Sequence, residues 1–313
     1  ALASLPGAGL VSEGEGLRAF RSTVRGGVYG MLTVLLFFPV LLNFLPAIYS
    51  FLESVMFELV LFFLLFSVLY SSSVFRGSMI AILAGMLGIL AFQSPINQNF
   101  VLTPVFTGLF TLPSLMNISR PSGQQSGSAS TEKTVRGGLV GSIAGMVSGV
   151  VPGVGAATST TLLSPLIDDE EEFMAGMGAV NSTDIFVSLF TLHLVQKARN
   201  GPAVVLQATG QIDAPLLVFA AGIVLFSASL SVPIAITFSG YYVDLIDSFP
   251  PRYFTYLLIP LVFLINLLMT GWQGILIFFT AGFIGYAAFI SDQRRATMAV
   301  LMVPVLASYS GII

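Results

Sequence analysis

Apolar runs recur from one end of this chain to the other, most of them close to the ~20 residues that cross a ~30 Å hydrocarbon layer as a helix. They cover residues 26–46, 55–74, 77–92, 100–118, 137–151, 156–167, 173–195, 216–239, 253–270, 272–290 and 297–313. The pair at 137–151 and 156–167 is shorter than the rest. In lipid every backbone polar group must bond within the protein, so runs of this length predict helices. Only 9% of the 313 residues are charged, against about a quarter in a soluble chain. The expectation is an all-α polytopic membrane protein lying in membrane lipids.

Composition also removes several functions. A net charge of −3 gives no basic face for a nucleic acid. Cysteine is absent, which excludes disulfides and thiolate metal sites. The one histidine, His193, cannot build a histidine metal centre, and its place beside Lys197 reads as a snorkelling interface residue. A serine or threonine nucleophile would need a base, and Asp184 is the one nearby candidate. No enzyme and no cofactor are expected.

The chain is self-similar at a spacing near 197 residues. Ala84-Gly85-Met-Leu-Gly88-Ile-Leu-Ala91-Phe92 matches Ala281-Gly282-Phe-Ile-Gly285-Tyr-Ala-Ala288-Phe289, and Gly77 matches Gly274. Pro104 matches Pro304, Pro6 matches Pro202 and Gly14 matches Gly210. Internal repeats of this kind mark transporters, with sites at discontinuous helices. The reading is a first repeat over residues 1–118, a Gly/Ser/Gln-rich flexible linker over 119–136 and a second repeat over 137–313. The counterpart of residues 137–200 would fall before residue 1. An upstream segment or a second chain is expected to supply it, since Ala1 follows no Met or signal-like segment.

Residues 145–160 read GMVSGVVPGVGAATST. Gly137, Gly141, Gly145 and Gly149 recur every four residues, a stripe that lets another backbone approach. Pro152, Gly153 and Gly155 then end the helix, and Ala156 can start another, with Thr158, Ser159 and Thr160 in its first turns. Such a start presents free N–H groups and a positive dipole end, which suits a carboxylate. A proline kink whose hydroxyls satisfy freed carbonyls is the other reading. Further on, Asn181, Ser182, Thr183 and Asp184 lie well inside an apolar span. A carboxylate there is a functional candidate by default, for H⁺, Na⁺ or substrate, with an interhelical hydrogen-bond cluster as the alternative.

Basic residues suggest an orientation. Arg18, Arg21 and Arg25, then Arg120, Lys133 and Arg136, then Lys197 and Arg199 form three clusters that the positive-inside rule puts in the cytoplasm. The acidic run 168–172 is then expected on the opposite face. Arg294 and Arg295 fit this scheme badly.

GLVGSIAGMVSGVVPGVGAATSTTLLS, EEEFMAGMGAVNSTD and HLVQKARNGPAVVLQ resemble the large membrane subunit of tripartite tricarboxylate transporters. SLPGAGLVSEGEGLRAFRSTVRGGVYG is similar to its stand-alone archaeal branch. The resemblance implies a duplicated, transporter-like helical bundle with broken or re-entrant helices, and uptake of small carboxylates driven by an ion gradient. Bacterial relatives work with a small membrane subunit and a periplasmic binding protein; archaeal relatives often lack an obvious binding-protein partner. The family's acidic–Ala–Asn–Asn segment is Asn181-Ser-Thr-Asp184 here, a departure, and the first repeat's Pro-Gly element is absent.

The expectation is thus a secondary transporter, or its membrane subunit, in the cytoplasmic membrane, with a homo-oligomer as a further partner state. Pro152, Gly153, Gly155, Ala156, Thr158, Ser159, Thr160 and Asn181 are its candidate substrate contacts. Asn181, Ser182, Thr183 and Asp184 are its candidate coupling-ion ligands, for Na⁺ or H⁺. Gly137, Gly141, Gly145 and Gly149 pack helices. The alternative is a lipid-carrier translocator or a non-transporting scaffold of glycine-packed helices.

Overall fold

A computed structural model of the chain describes residues 10, 13–98, 100–116, 129–151, 154–163, 166–196, 198, 200–208, 210–247 and 251–311. Pro152, Gly153, Lys197, Arg199, Arg120 and most of the linker 119–136 lie outside the described residues. Among those described, the elements are helices and no strand occurs. In chain order they are α1 (Gly16–Ser54), α2 (Met56–Leu69), α3 (Val74–Phe92) and α4 (Leu102–Met116). Then come α5 (Thr131–Val150), α6 (Ala156–Leu163), α7 (Glu170–Val195), α8 (Gly201–Gln207) and α9 (Ala214–Asp247). α10 (Pro251–Ile290), a 3₁₀ turn (Arg294–Met298) and α11 (Ala299–Tyr309) end the series. Five of these helices are long and apolar enough to cross a membrane. The chain is an all-α polytopic membrane protein.

Contacts gather the helices into two units, neither a continuous half of the sequence. One contains α1 and α5–α9, the other α2–α4 with α10 and α11.

The first unit is organised by glycine. A Cβ on Gly137 would strike the Glu172 carbonyl, on Gly141 the Gly176 backbone, on Gly145 Thr183, and on Gly149 Val187. Partner numbers rise together along both helices, so α5 and α7 run parallel and nearly touch backbone to backbone. α1 does the same on another side of α7, where Gly26 meets Ala175 and Gly30 meets Ala179. Beyond the glycines the contact becomes aromatic and aliphatic. Val34, Phe186, Phe190 and Leu192 are fully buried there, and Phe38 meets Phe190 with centroids 5.0 Å apart.

Because α5 and α7 are parallel, the chain between them must return. α6 is that return: Leu163 lies against Gly176 and packs with Phe173, Val180 and Ile167 near the start of α7. Residues 131–167 therefore form a hairpin that ends on the face where it began.

This corrects the expected orientation of the acidic run. Arg18 of α1 donates to Glu171 through Nε at 2.8 Å and Nη2 at 2.6 Å, and Lys133 pairs with Asp169 at 2.5 Å. Arg136 pairs with Glu172 at 3.1 Å. The acids thus lie at the same end as the first two basic clusters, because the shorter runs at 137–151 and 156–167 go in and out rather than across. Glu171 is wholly buried and also accepts from Ser22 Oγ and the Ser130 amide. Burial alone would push the Asp169 carboxyl up, but the Lys133 ammonium and the Glu172 amide outweigh it and hold it below the ordinary value. A depressed carboxylate stabilises the fold above its unfolded pKa, and that contribution disappears as pH falls through the lowered folded value.

In the second unit α10 is two antiparallel arms. Gly271 (φ 65°, ψ −166°) takes a left-handed backbone between them, and Phe263 meets Phe279 across the bend with centroids 6.2 Å apart. The 100–118 run, interrupted in sequence by two prolines, is one helix with a π turn at Thr107–Thr111. That turn lies just before Pro113, which has no N–H to give. Buried Asn266 donates to Thr107 Oγ1 at 2.9 Å beside it. Gly85 and Gly88 of α3 pack on α11, whereas Gly282 and Gly285 of α10 pack on α4.

Gly141→Val is expected to destabilise the protein by more than the roughly 1–3 kcal/mol of ordinary overpacking, since backbone cannot move aside. Gly222→Ala in α9, where no described atom lies within 4 Å of the new Cβ, should be tolerated. Thermal unfolding in detergent compares the two, and equal melting temperatures would refute the glycine contact.

Candidate functional site

Asp184 lies fourteen residues after Glu170 and eleven before Val195 in α7, hence about 21 Å and 16 Å from the two helix ends. Its carboxylate is near mid-span. Ser148, in the last turn of α5, donates its hydroxyl to Oδ1 at 2.7 Å. Asn200 donates from Nδ2 to Oδ2 at 3.1 Å.

Asn200 arrives there by a reversal. α7 ends at Gln196, whose backbone is left-handed (φ 55°). Asn200 stands back at the level of Asp184, and from it α8 climbs so that Gln207 Nε2 meets the Gln196 carbonyl at 2.8 Å. Asn200 caps α8, its Oδ1 accepting from the Ala203 amide at 3.1 Å, with Pro202 in the first turn. Its side chain thus serves a helix start and a buried carboxylate together. His193, half-buried near the end of α7, bonds the Ile212 carbonyl through Nδ1 at 2.7 Å and ties the chain before α9 to α7.

The second half of the site is the start of α6. The Gly155 carbonyl accepts from the Thr158 amide at 2.9 Å and the Ser159 amide at 3.1 Å. Among the described residues, nothing lies within 4 Å of a Cβ placed on Gly155. Gly155 and Ala156 are half-buried. The side chains of Thr158 and Ser159 are buried, and among the described residues neither hydroxyl has a hydrogen-bond partner. Ser188, one helical turn beyond Asp184, has a buried hydroxyl in the same condition. Thr160 differs, since its hydroxyl is used on the Ala156 carbonyl at 2.8 Å. Thr158 and Ser159 precede Leu163 by five and four residues, about 6–8 Å of helix. With Leu163 at Gly176 and α6 antiparallel to α7, they reach the level of Val180 and Asn181.

The residues of the 181–184 run do not share a face. At 100° per residue a helix splays four neighbours around its circumference. Asn181 is exposed and donates to the Met177 carbonyl at 2.9 Å. Ser182 faces Gly27 of α1, and Thr183 is buried between Gly30 and Gly145. Asp184 alone of the four meets Ser148. Sequence reasoning missed Ser148 and Asn200. Asn200-Gly201-Pro202 carries a readable helix-start signal, an asparagine cap before an early proline; Ser148 carries none, because its partner lies 36 residues away.

Asp184 is thus held between two interrupted elements, the end of α5 through Ser148 and the capped start of α8 through Asn200. Interrupted helices around a mid-span site are the architecture of secondary transporters. The model of the TctA family of tripartite tricarboxylate transporters matches residues 1–300. The chain belongs to the tripartite tricarboxylate transporter TctA family. That makes it a membrane subunit of a tricarboxylate transporter. No curated protein and no solved structure matches it.

An unpaired buried hydroxyl costs about 1–3 kcal/mol. Thr158→Val and Ser159→Ala are therefore expected to raise the melting temperature of the ligand-free protein, or leave it unchanged, while weakening substrate binding. Thermal unfolding with and without a tricarboxylate reads both effects; a loss of ligand-free stability would mean the hydroxyls are structural.

Proposed function

We propose that the chain is a secondary transporter subunit that moves a small carboxylate through the cytoplasmic membrane, coupled to H⁺ or Na⁺. The observation that carries this reading is the Asp184 carboxylate held at mid-span by Ser148 and Asn200, on two interrupted elements. The amides and unpaired hydroxyls of the α6 start receive the substrate's carboxylate. Asp184 receives the coupling cation.

Proximity supplies the coupling. Two like charges a few ångströms apart repel by several kcal/mol at the effective dielectric of a half-buried site. An anionic substrate beside ionised Asp184 is disfavoured until a proton or Na⁺ neutralises that carboxylate. Substrate and cation then bind best together, which links carboxylate uptake to the ion gradient.

The sequence repeat fits the same reading. Equivalent glycine pairs, Gly85/Gly88 and Gly282/Gly285, each pack against the short proline-bearing helix of the other copy. This exchange is what a duplicated core closed on itself would make, and it supports repeat boundaries near 118 and 137. A small membrane subunit and a substrate-binding protein are the partners that the family name implies.

The test is uptake by the full-length protein in proteoliposomes, scanning di- and tricarboxylates under imposed H⁺ or Na⁺ gradients. Asp184→Asn is expected to lower gradient-driven accumulation at least tenfold while leaving the melting temperature within a few degrees. Ser182→Ala, which faces α1, should transport normally. Undiminished accumulation by Asp184→Asn would sink the coupling role.

A further inference from the structure

α8 is lightly anchored in the first unit, and one side chain ties its start to the site. It spans seven residues, of which only Ala203 is fully buried. Gly201, Pro202, Val204, Val205 and Gln207 are exposed, and no described atom lies within 4 Å of a Cβ placed on Gly201. A residue of positive φ stands on either side of the helix, Gln196 at 55° and Gly210 at 128°. Element ends of this kind are where a chain absorbs a change of direction, as hinges do. The far end of α8 is fastened by Gln207 Nε2 to the Gln196 carbonyl, an exposed bond for which water competes.

The near end is held by charge. Asn200 Nδ2 donates to Asp184 Oδ2 at 3.1 Å and lies 3.4 Å from the Asp184 carbonyl oxygen, while Oδ1 caps the helix. A hydrogen bond to an ionised carboxylate is about twice as strong as one between neutral groups. Neutralising Asp184 therefore shifts a closed-to-open equilibrium of α8 by roughly tenfold. The other donor to Asp184, Ser148, belongs to a helix that glycine contacts hold along its length, so α8 is the element that yields.

We propose that Asn200 is a positioning residue that latches α8 against Asp184: the latch is shut while the carboxylate is free and opens when a cation neutralises it. This rests on Asp184 being the coupling-ion site. Substrate enters with α8 open, so the latch orders the cycle, cation first and carboxylate second. A carrier built this way does not leak its substrate when the ion is absent.

The test is hydrogen–deuterium exchange across α8 in the full-length protein in proteoliposomes. Na⁺ is added at fixed pH and, separately, pH is lowered without Na⁺, with rates corrected for the intrinsic effect of pH. One of the two cations is expected to speed exchange of the amides of residues 204–207 about tenfold. Asn200→Ser keeps a capping oxygen but lacks the amide donor that reaches Asp184. Its α8 should exchange fast with or without cation, at a melting temperature within a few degrees of the parent. Substrate should also leave preloaded vesicles about tenfold faster without an ion gradient. Asp184→Asn, neutral at every pH, should likewise exchange fast without cation, and it covers failure of Asn200→Ser to fold. A cap with no other role would leave Asn200→Ser indistinguishable from the parent, which overturns the latch, as does exchange in the parent that neither cation moves. The two readings fail differently. Ion-coupled uptake with α8 exchange unmoved removes the latch alone, whereas coupled uptake retained by Asp184→Asn removes the cation from Asp184 as well.

Discussion

Backbone-to-backbone contact between α5 and α7 is the constraint from which the rest of the first unit follows. Glycine at every fourth position of α5 removes the side chains that would hold two helices 8–10 Å apart. The contact forms with the helices parallel, although they are neighbours in sequence, so the intervening chain must travel back along α5. That helix is 20 residues long, about 30 Å. The connection runs from 151 to 169, nineteen residues, and a continuous helix of that length covers only about 28 Å, with nothing left for two turns. The return therefore cannot be one continuous helix, and α6 accounts for eight of its residues.

An interrupted return has consequences for chemistry. Helix ends leave N–H and C=O groups outside the ladder, and lipid tolerates these only where protein buries them or they line a wet cavity. The polar residues of 145–160 thus belong to the return rather than decorating it. Ser148 precedes the break, Gly155 gathers two amides on one carbonyl, and Thr158 and Ser159 carry hydroxyls into the interior. The glycine stripe and the interrupted return are two sides of one solution. Tight parallel packing on one face obliges an interrupted, polar element on the other.

Much of this was legible in the sequence because it is local. The i, i+4 glycines, the Pro152-Gly153 break and an aspartate in an apolar run are short-range patterns, and the helices fall close to the apolar runs. What could not be read is non-local. Whether 137–167 crosses once or folds back depends on which helix the glycines meet, and only the pairing of Glu171 with Arg18, 153 residues away, places the acidic run. The same holds for Asn200, whose return to Asp184 depends on the left-handed backbone of Gln196. The 181–184 run shows the opposite failure. Four adjacent polar residues look like one cluster in a string of letters, but a helix distributes them among α1, α5 and the surface.

The two units manage buried polarity in different ways, and the difference separates scaffold from site. Asn266 sits fully buried in the second unit with its amide committed to Thr107 and to the Val262 carbonyl. It fills the disturbance of a π turn and leaves nothing for a ligand. In the first unit Asp184 receives only two donors, and a carboxylate can accept about four. Among the described residues, the buried hydroxyls of Thr158, Ser159 and Ser188 have no hydrogen-bond partner. A protein selected for stability alone would replace those hydroxyls with methyl groups and keep the same shape. Retained unsatisfied, they leave this region less stable than a packed core would be, and a ligand that supplies the missing acceptors recovers that deficit as affinity.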